Sequence, residues 1–327
     1  MPPSISSLTD RTPQMSGEEL AASLVPPRQF EQVTLDNYRP DPDFPSQAEA
    51  LEAARAFVAP RQSAGLFSRK KAPAAKPGLY LDGGFGVGKT HLLAALWKLA
   101  PGRKYFGTFI EYTAMMDRLA ELPLSLIAID EFELDDPGDT MVMTRLLGEL
   151  AEGGTRIAAT SNTPPNALGE GRFAAADFLR EIHALSARFD IVRIDGLDYR
   201  RRDIEGHART FDGAEYAEEL ARAEGPATDD EFDAVLRHLS RVHPSRYVRL
   251  VEGLDVIGLR DVRTLHDQSD ALRFVALVDR IYDAQVPVVS TGVPLDQVFG
   301  EEMLGGGYRK KYLRAVSRLI ALTTGTD

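Results

Sequence analysis

No cysteine occurs in the 327 residues, and that one absence excludes disulfide staples, thiolate zinc sites and thiol nucleophiles together. It fits a reducing cytoplasm, which is the expected location. Long apolar runs are missing too: no stretch reaches the 18 or more residues of a membrane span, and the opening M-P-P-S-I-S-S-L-T-D has neither the basic start nor the apolar core of a secretory signal. A soluble chain without stable membrane insertion is the expectation. Positive charge is scarce: 38 Lys and Arg against 49 Asp and Glu leave a net charge of −11, which argues against a protein that coats nucleic acid or an anionic membrane. No internal repeat is evident.

What is present centres on Gly83 to Thr90, G-G-F-G-V-G-K-T, which fits the phosphate-binding pattern G-x-x-x-x-G-K-[ST]. A polyphosphate needs several backbone N–H groups aimed at one point, and the glycines let the backbone approach without Cβ interference. Gly83, Gly84, Phe85, Gly86, Val87 and Gly88 are therefore the expected cradle, and Lys89 reaches the β- and γ-phosphates. The apolar run Gly78 to Leu81 leads in as a strand, and His91 to Trp97 follows as a helix. The phosphates are thus placed at a helix N-terminus, where the macrodipole favours negative charge. The Thr90 hydroxyl is the expected ligand of Mg²⁺.

Along the chain, residues 1–29 read as a flexible N-terminal segment. Phe30 to Pro45 carries aromatics among prolines and reads as extended. A helix is expected over Ser46 to Ala59, with Ser46 as N-cap and Glu49 completing a capping box. The basic stretch 61–77 reads as an exposed linker or loop. Tyr105 to Tyr112 then reads as a strand, and Leu124 to Glu131 as a strand buried on both faces. Thr140 to Glu152 is an amphipathic helix. Arg156 to Thr160 is a strand, Phe173 to Ala187 a helix and Asp190 to Ile194 a fifth strand. This alternation implies an α/β parallel sheet whose ligand lies beyond the strands' C-terminal ends. A boundary near Arg200 separates residues 30–200 from a helix-rich module over 201–327. There Asp229 to Leu239, Asp267 to Tyr282 and Tyr308 to Thr323 read as helices, and Val251 to Leu259 and Val286 to Ser290 as strands.

Asp130 and Glu131 close the buried strand. A strand-end Asp can hold the Mg²⁺ shell, and an adjacent Glu can orient or activate water for attack on a γ-phosphate. The inserted strand over Tyr105 to Tyr112 is the layout of P-loop ATPases with a catalytic glutamate. N-K-x-D, a base-recognition pattern of GTPases, is absent, so ATP is the expected nucleotide. Asn162, at the end of the next strand, is placed to reach the γ-phosphate or hold the lytic water.

The segments N-Y-R-P-D-P-D-F-P-S-Q (37–47), L-Y-L-D-G-G-F-G-V-G-K-T (79–90), I-D-E-F-E-L-D-D-P-G-D-T-M (129–141) and A-T-S-N-T-P-P-N-A-L (159–168), with D-Y-R (198–200), R-F-V-A-L-V-D-R-I-Y-D (273–283) and V-S-R-L (316–319), resemble the ZapE group. These are AAA+ ATPases associated with bacterial cell division, with mitochondrial relatives. The resemblance runs from about Phe30 to the C-terminus. It implies a P-loop NTPase of the AAA+ type, a parallel sheet with helices on both faces, joined to a smaller helix-rich α+β C-terminal module. It further implies Mg-dependent ATP hydrolysis, a homo-oligomer when active, and a protein partner in the division machinery such as FtsZ. AAA+ enzymes complete their sites with an arginine from a neighbouring subunit, and Arg172 and Arg188 both qualify. Arg318 is the expected nucleotide sensor from the C-terminal module. Two departures stand out: Arg209 to Phe232 is shorter than in the group, and Y-F-G-T-F replaces a histidine-bearing H-F-H stretch. The alternative reading is an ATP-dependent helicase loader or initiator, whose nucleic acid would need the basic cluster Arg309, Lys310, Lys311 and Arg314.

Overall fold

The computed structural model describes residues 4–59, 76–115, 119, 122–132, 137–165 (137–140 by backbone), 168, 183–184, 186–197 and 206–324. The chain forms two units: Gly17–Tyr199, and Met1–Ser16 together with Arg200–Asp327. Strand β1 (Ile5–Ser6) belongs to the second unit. Strands β2 (Gly78–Gly83), β3 (Lys104–Thr108), β4 (Leu126–Asp130), β5 (Arg156–Ser161) and β6 (Phe189–Ile194) build the first. Strands β7 (Ala227–Glu231), β8 (Val256–Val262) and β9 (Val288–Gly292) complete the second. The basic stretch 61–75, Arg172 and most of the helix expected over Phe173–Ala187 lie outside the described residues.

In the first unit all five strands run parallel in the order β3-β4-β5-β2-β6. The apolar runs L-I-A-I and I-A-A explain why: both faces of β4 and β5 are buried, which suits strands sandwiched between helices. One face packs Leu79, Leu81, Ala128 and Ala158 against Leu92, Leu93 and Leu96 of the helix Lys89–Leu99. On the other, Tyr80, Phe109, Phe132 and Phe189 meet edge to face at 5.5–6.2 Å. Because β5 lies between β2 and β4, the ends of all three converge on the loop after Gly83.

Two local readings are corrected. The strand expected over Tyr105–Tyr112 stops at Thr108, and Phe109–Thr113 is helical. A capping box ends it: the Thr108 N–H and hydroxyl donate to Glu111 Oε2 at 2.7 and 2.8 Å. The helix expected to be capped by Ser46 begins at Pro45, whose missing N–H suits a first turn. Ser46 instead accepts the Asp195 N–H at 2.8 Å.

The segment expected to be flexible is docked. Gly17–Ser23 is helical, and Leu24 O accepts the Phe106 N–H at 2.9 Å, closing the outer edge of β3. Ile5 and Ser6 pair with Ala227 and Thr228, Leu8 is 1% exposed, and its N–H donates to buried Asp230 at 2.8 Å. A buried carboxylate needs such donors, and the first residues supply them.

The second unit is helix-rich, and its strands are all parallel in the order β1-β7-β8-β9. Asp229 to Glu231, expected to begin a helix, belong to β7, and the helix starts at Phe232. A repeat emerges that residue identities conceal. β7, β8 and β9 alternate with helices, Phe232–Leu239 and Tyr247–Val251 in the first interval and Gln268–Ala284 in the second, as β3, β4 and β5 alternate with Phe109–Thr113 and Pro137–Glu152. The ladders agree: Ile127 pairs with Ile157 and Ala128 with Ala158, as Ile257 pairs with Val288 and Gly258 with Val289. Glu131 and Asp261, which take the same place in the two units, have φ of 56° and 55°.

Candidate nucleotide site

β2 delivers the chain to Gly83, where a Cβ would lie 2.2 Å from Ile194 O on β6. Only glycine fits there. Gly86 and Gly88 adopt φ of 72° and 85°, the left-handed region that glycine enters without strain. A Cβ on Gly88 would also strike the Tyr38 ring at 2.5 Å. Tyr38 packs edge to face on His91 and its hydroxyl donates to Val87 O at 3.0 Å, so the Pro-rich segment braces the loop from outside. Sequence reasoning left Tyr38 without a role; its signal was an aromatic held among prolines.

Lys89 is 9% exposed, and its Nζ donates to Gly83 O at 3.2 Å, Gly84 O at 2.5 Å and Asn162 Oδ1 at 2.9 Å. The loop thus holds a nearly buried cation at its centre, in contact with the residue just past β5. Across the same opening Thr90 Oγ1 donates to Asp130 Oδ1 at 3.1 Å. That pair of oxygens, a hydroxyl and a carboxylate, suits a hard divalent cation such as Mg²⁺. Loop, lysine, hydroxyl and carboxylate together fit a Mg-nucleotide.

Glu131 follows Asp130 in a left-handed conformation, with φ of 56°. Its N–H donates to Thr160 Oγ1 at 3.0 Å, the Phe132 N–H donates to Thr160 O at 2.6 Å, and Phe132 is fully buried among Tyr80 and Phe109. Beneath β4, Tyr112 donates its hydroxyl to Ala128 O at 3.0 Å. Burial, then the charge of Glu111, push that hydroxyl well above its ordinary range, so it remains a neutral donor.

The structure therefore brings together Gly83 to Thr90, Asp130, Glu131 and Asn162. Arg188 lies elsewhere: its carbonyl accepts the Gly78 N–H at 3.1 Å and its guanidinium faces Glu152 at 3.5 Å. Gly78 is the opposite end of β2 from the loop, about 16 Å along the strand. Arg318 lies in the second unit. Its guanidinium is buried against Asp279, beside Arg314 at 2.8 Å from the same carboxylate, and stacks over Tyr282. That ion pair lies within the second unit. Burial disfavours the Asp279 anion, but Arg314, Arg318 and Arg280 outweigh it and hold the carboxyl below its usual value.

The family model described as AFG1-like ATPase matches residues 15–122, 111–223 and 217–326. Cell division protein ZapE of Escherichia coli K12 is 27% identical over 292 residues, covering 74% of this chain and 76% of that protein. Lactation elevated protein 1 homolog B of Danio rerio is 25% identical over 294 residues, covering 70% of this chain and 58% of that one. Among solved structures, the DnaC helicase loader is similar over 51% of this chain and 99% of its own, with a TM-score of 0.34 and 17% identity. AMPPCP-bound DnaA from Aquifex aeolicus is similar over 50% of each chain, with a TM-score of 0.37 and 16% identity.

Proposed function

Because the chain belongs to the AFG1-like ATPase family, we propose that it binds ATP with Mg²⁺ in the Gly83–Thr90 loop and hydrolyses it. One observation carries the reading: Asp130 is held on Thr90 at 3.1 Å, and Glu131 follows it directly with φ of 56°. Mg²⁺, when bound, offsets charge on the β- and γ-phosphate oxygens. Thr90 and Asp130 would hold it. Backbone N–H groups of Gly84 to Lys89 and the Lys89 ammonium bind and orient the phosphates. Glu131 holds the attacking water and accepts its proton. Asn162, already on Lys89 at 2.9 Å, is placed to position that water or the γ-phosphate.

Arg188, at the far end of β2, cannot reach the loop of its own unit, which supports an arginine supplied by a neighbouring copy; Arg172 is the second candidate. The similarity to a curated cell division protein supports coupling of hydrolysis to a protein partner in division. The net charge of −11 supports a protein partner over nucleic acid. Among the described residues no helix is long and apolar enough to cross a membrane.

Two substitutions test the assignment. Lys89→Ala should abolish ATP binding, since the loop loses its cation. Glu131→Gln should retain binding while turnover falls by about 10² or more. Calorimetric binding and phosphate release measure the two; tight binding by a folded Lys89→Ala protein, or turnover surviving in Glu131→Gln, overturns the corresponding role.

A further inference from the structure

Thr160 is 1% exposed at the end of β5, and its single hydroxyl makes two bonds. It accepts the Glu131 N–H at 3.0 Å and donates to Asp130 Oδ1 at 2.5 Å. A hydroxyl has one proton to give, so giving it to Asp130 fixes the rotor and turns a lone pair toward Glu131. One atom thereby reaches both carboxylate-bearing residues. The Glu131 backbone it holds is left-handed, a conformation costly for a residue with a Cβ and maintained only where surroundings impose it.

The second unit separates these two bonds. Asp261, at the place of Glu131, has φ of 55°, and its N–H donates to Thr291 Oγ1 at 2.9 Å. The left-handed residue and its threonine are therefore retained, at a register shift within β8, where the other chemistry has gone. Arg260 stands where Asp130 does and pairs with Asp229 at 2.7 Å. Among the described residues β9 is the outer strand of its sheet, and no counterpart of β2, which brings in the phosphate loop, adjoins it. The N–H···Oγ bond accordingly accompanies the left-handed residue in both units. The bond to the carboxylate is found only where that carboxylate faces the phosphate loop.

We propose that Thr160 is a positioning residue for the Mg-nucleotide site: its donor leg fixes Asp130 for the metal, and its acceptor leg fixes the turn that aims Glu131. The inference rests on the nucleotide reading above and adds a residue that acts through both carboxylates without touching nucleotide. A partner behind a metal ligand typically contributes about 10- to 100-fold to metal affinity or activity.

The test compares Thr160→Val, Thr160→Ser and Thr291→Val in the full chain, using Mg²⁺ and a fluorescent ATP analogue. Three quantities are read: melting temperature, the Mg²⁺ concentration that half-saturates analogue binding, and kcat against KM. Thr160→Val and Thr291→Val should lower the melting temperature by similar amounts, since each strips the acceptor from one turn. Only Thr160→Val should need about 10- to 100-fold more Mg²⁺ and lose kcat by a similar factor with KM for ATP little changed. Thr160→Ser, which keeps the hydroxyl, should stay within about threefold of the unmodified chain in both. An unshifted Mg²⁺ requirement in folded Thr160→Val, an equal shift in Thr291→Val, or a loss in Thr160→Ser as large as in Val overturns the proposal. If the unmodified chain binds Mg-nucleotide without turnover, the hydrolytic reading fails, while the Mg²⁺ shift still decides the role of Thr160.

Discussion

Asp279 faces Arg314 at 2.8 Å and also binds Arg318, with the three side chains only 4–14% exposed. Removing one partner of a buried pair leaves an uncompensated charge, so Asp279→Asn should destabilise the second unit by about 3–5 kcal/mol, measured by urea unfolding followed by circular dichroism. The sign of the pH dependence follows from the lowered carboxyl of Asp279. Its stabilisation is complete above the unfolded value of about 3.9 and is lost as pH falls through the lower folded value. Asp279→Asn should therefore lose less stability than the unmodified chain over that acidic window. The same triad shows what single residues conceal. The phosphate loop and the Asp130–Glu131 pair are legible because their chemistry needs fixed local spacing. Arg318 is not, because its partner lies on a different helix and no local pattern encodes the pairing. Thr160 escaped for a related reason: its role exists only once β4 and β5 are in register, which sets its hydroxyl between two residues of the neighbouring strand.

Among elements, every described strand was read from sequence except β1 and β7. L-I-A-I-D and R-I-A-A-T-S announce parallel strands by unbroken apolar content. β7, A-T-D-D-E, carries three carboxylates, yet it sits between β1 and β8, where Asp230 bonds Leu8 and Asp229 bonds Tyr216 at 2.7 Å and Arg260. Tertiary partners supplied what β-propensity lacked. They also explain the missed N-terminal strand, two residues long and polar around it. Leu8 gives the measurable consequence: fully buried leucines cost about 2–5 kcal/mol when cut to alanine, so Leu8→Ala should destabilise the second unit by that order. Trp97, the one tryptophan, lies in the first unit and reports on it alone. Circular dichroism should show the earlier transition while Trp97 fluorescence and ATP binding remain near those of the unmodified chain. A fluorescence transition that moves equally would show that the segment does not act through the second unit.

For the whole molecule, the position of Arg188 and the family reading lead to an assembly prediction. Activity per chain should rise with protein concentration. An Arg172→Ala or Arg188→Ala chain, depleted of its finger, should regain turnover when mixed with Lys89→Ala chains that lend theirs, by a factor that for related NTPases reaches about 10³–10⁵. Specific activity independent of concentration, with no rescue in either mixture, would falsify the shared site. The route of the backbone has a consequence of a different kind. The chain begins in one unit, leaves it at Ser16 and returns at Arg200, so the Gly17–Tyr199 unit is an insertion within the other. On a ribosome adding about 5–20 residues per second, Leu8 emerges roughly 10–45 s before Asp230 exists to receive it. The ATPase core is complete meanwhile. Leu8 must therefore wait, apolar and without its partner, for Asp230, and a nascent chain that stalls once Tyr199 has been added holds the Gly17–Tyr199 unit complete and Leu8 still waiting.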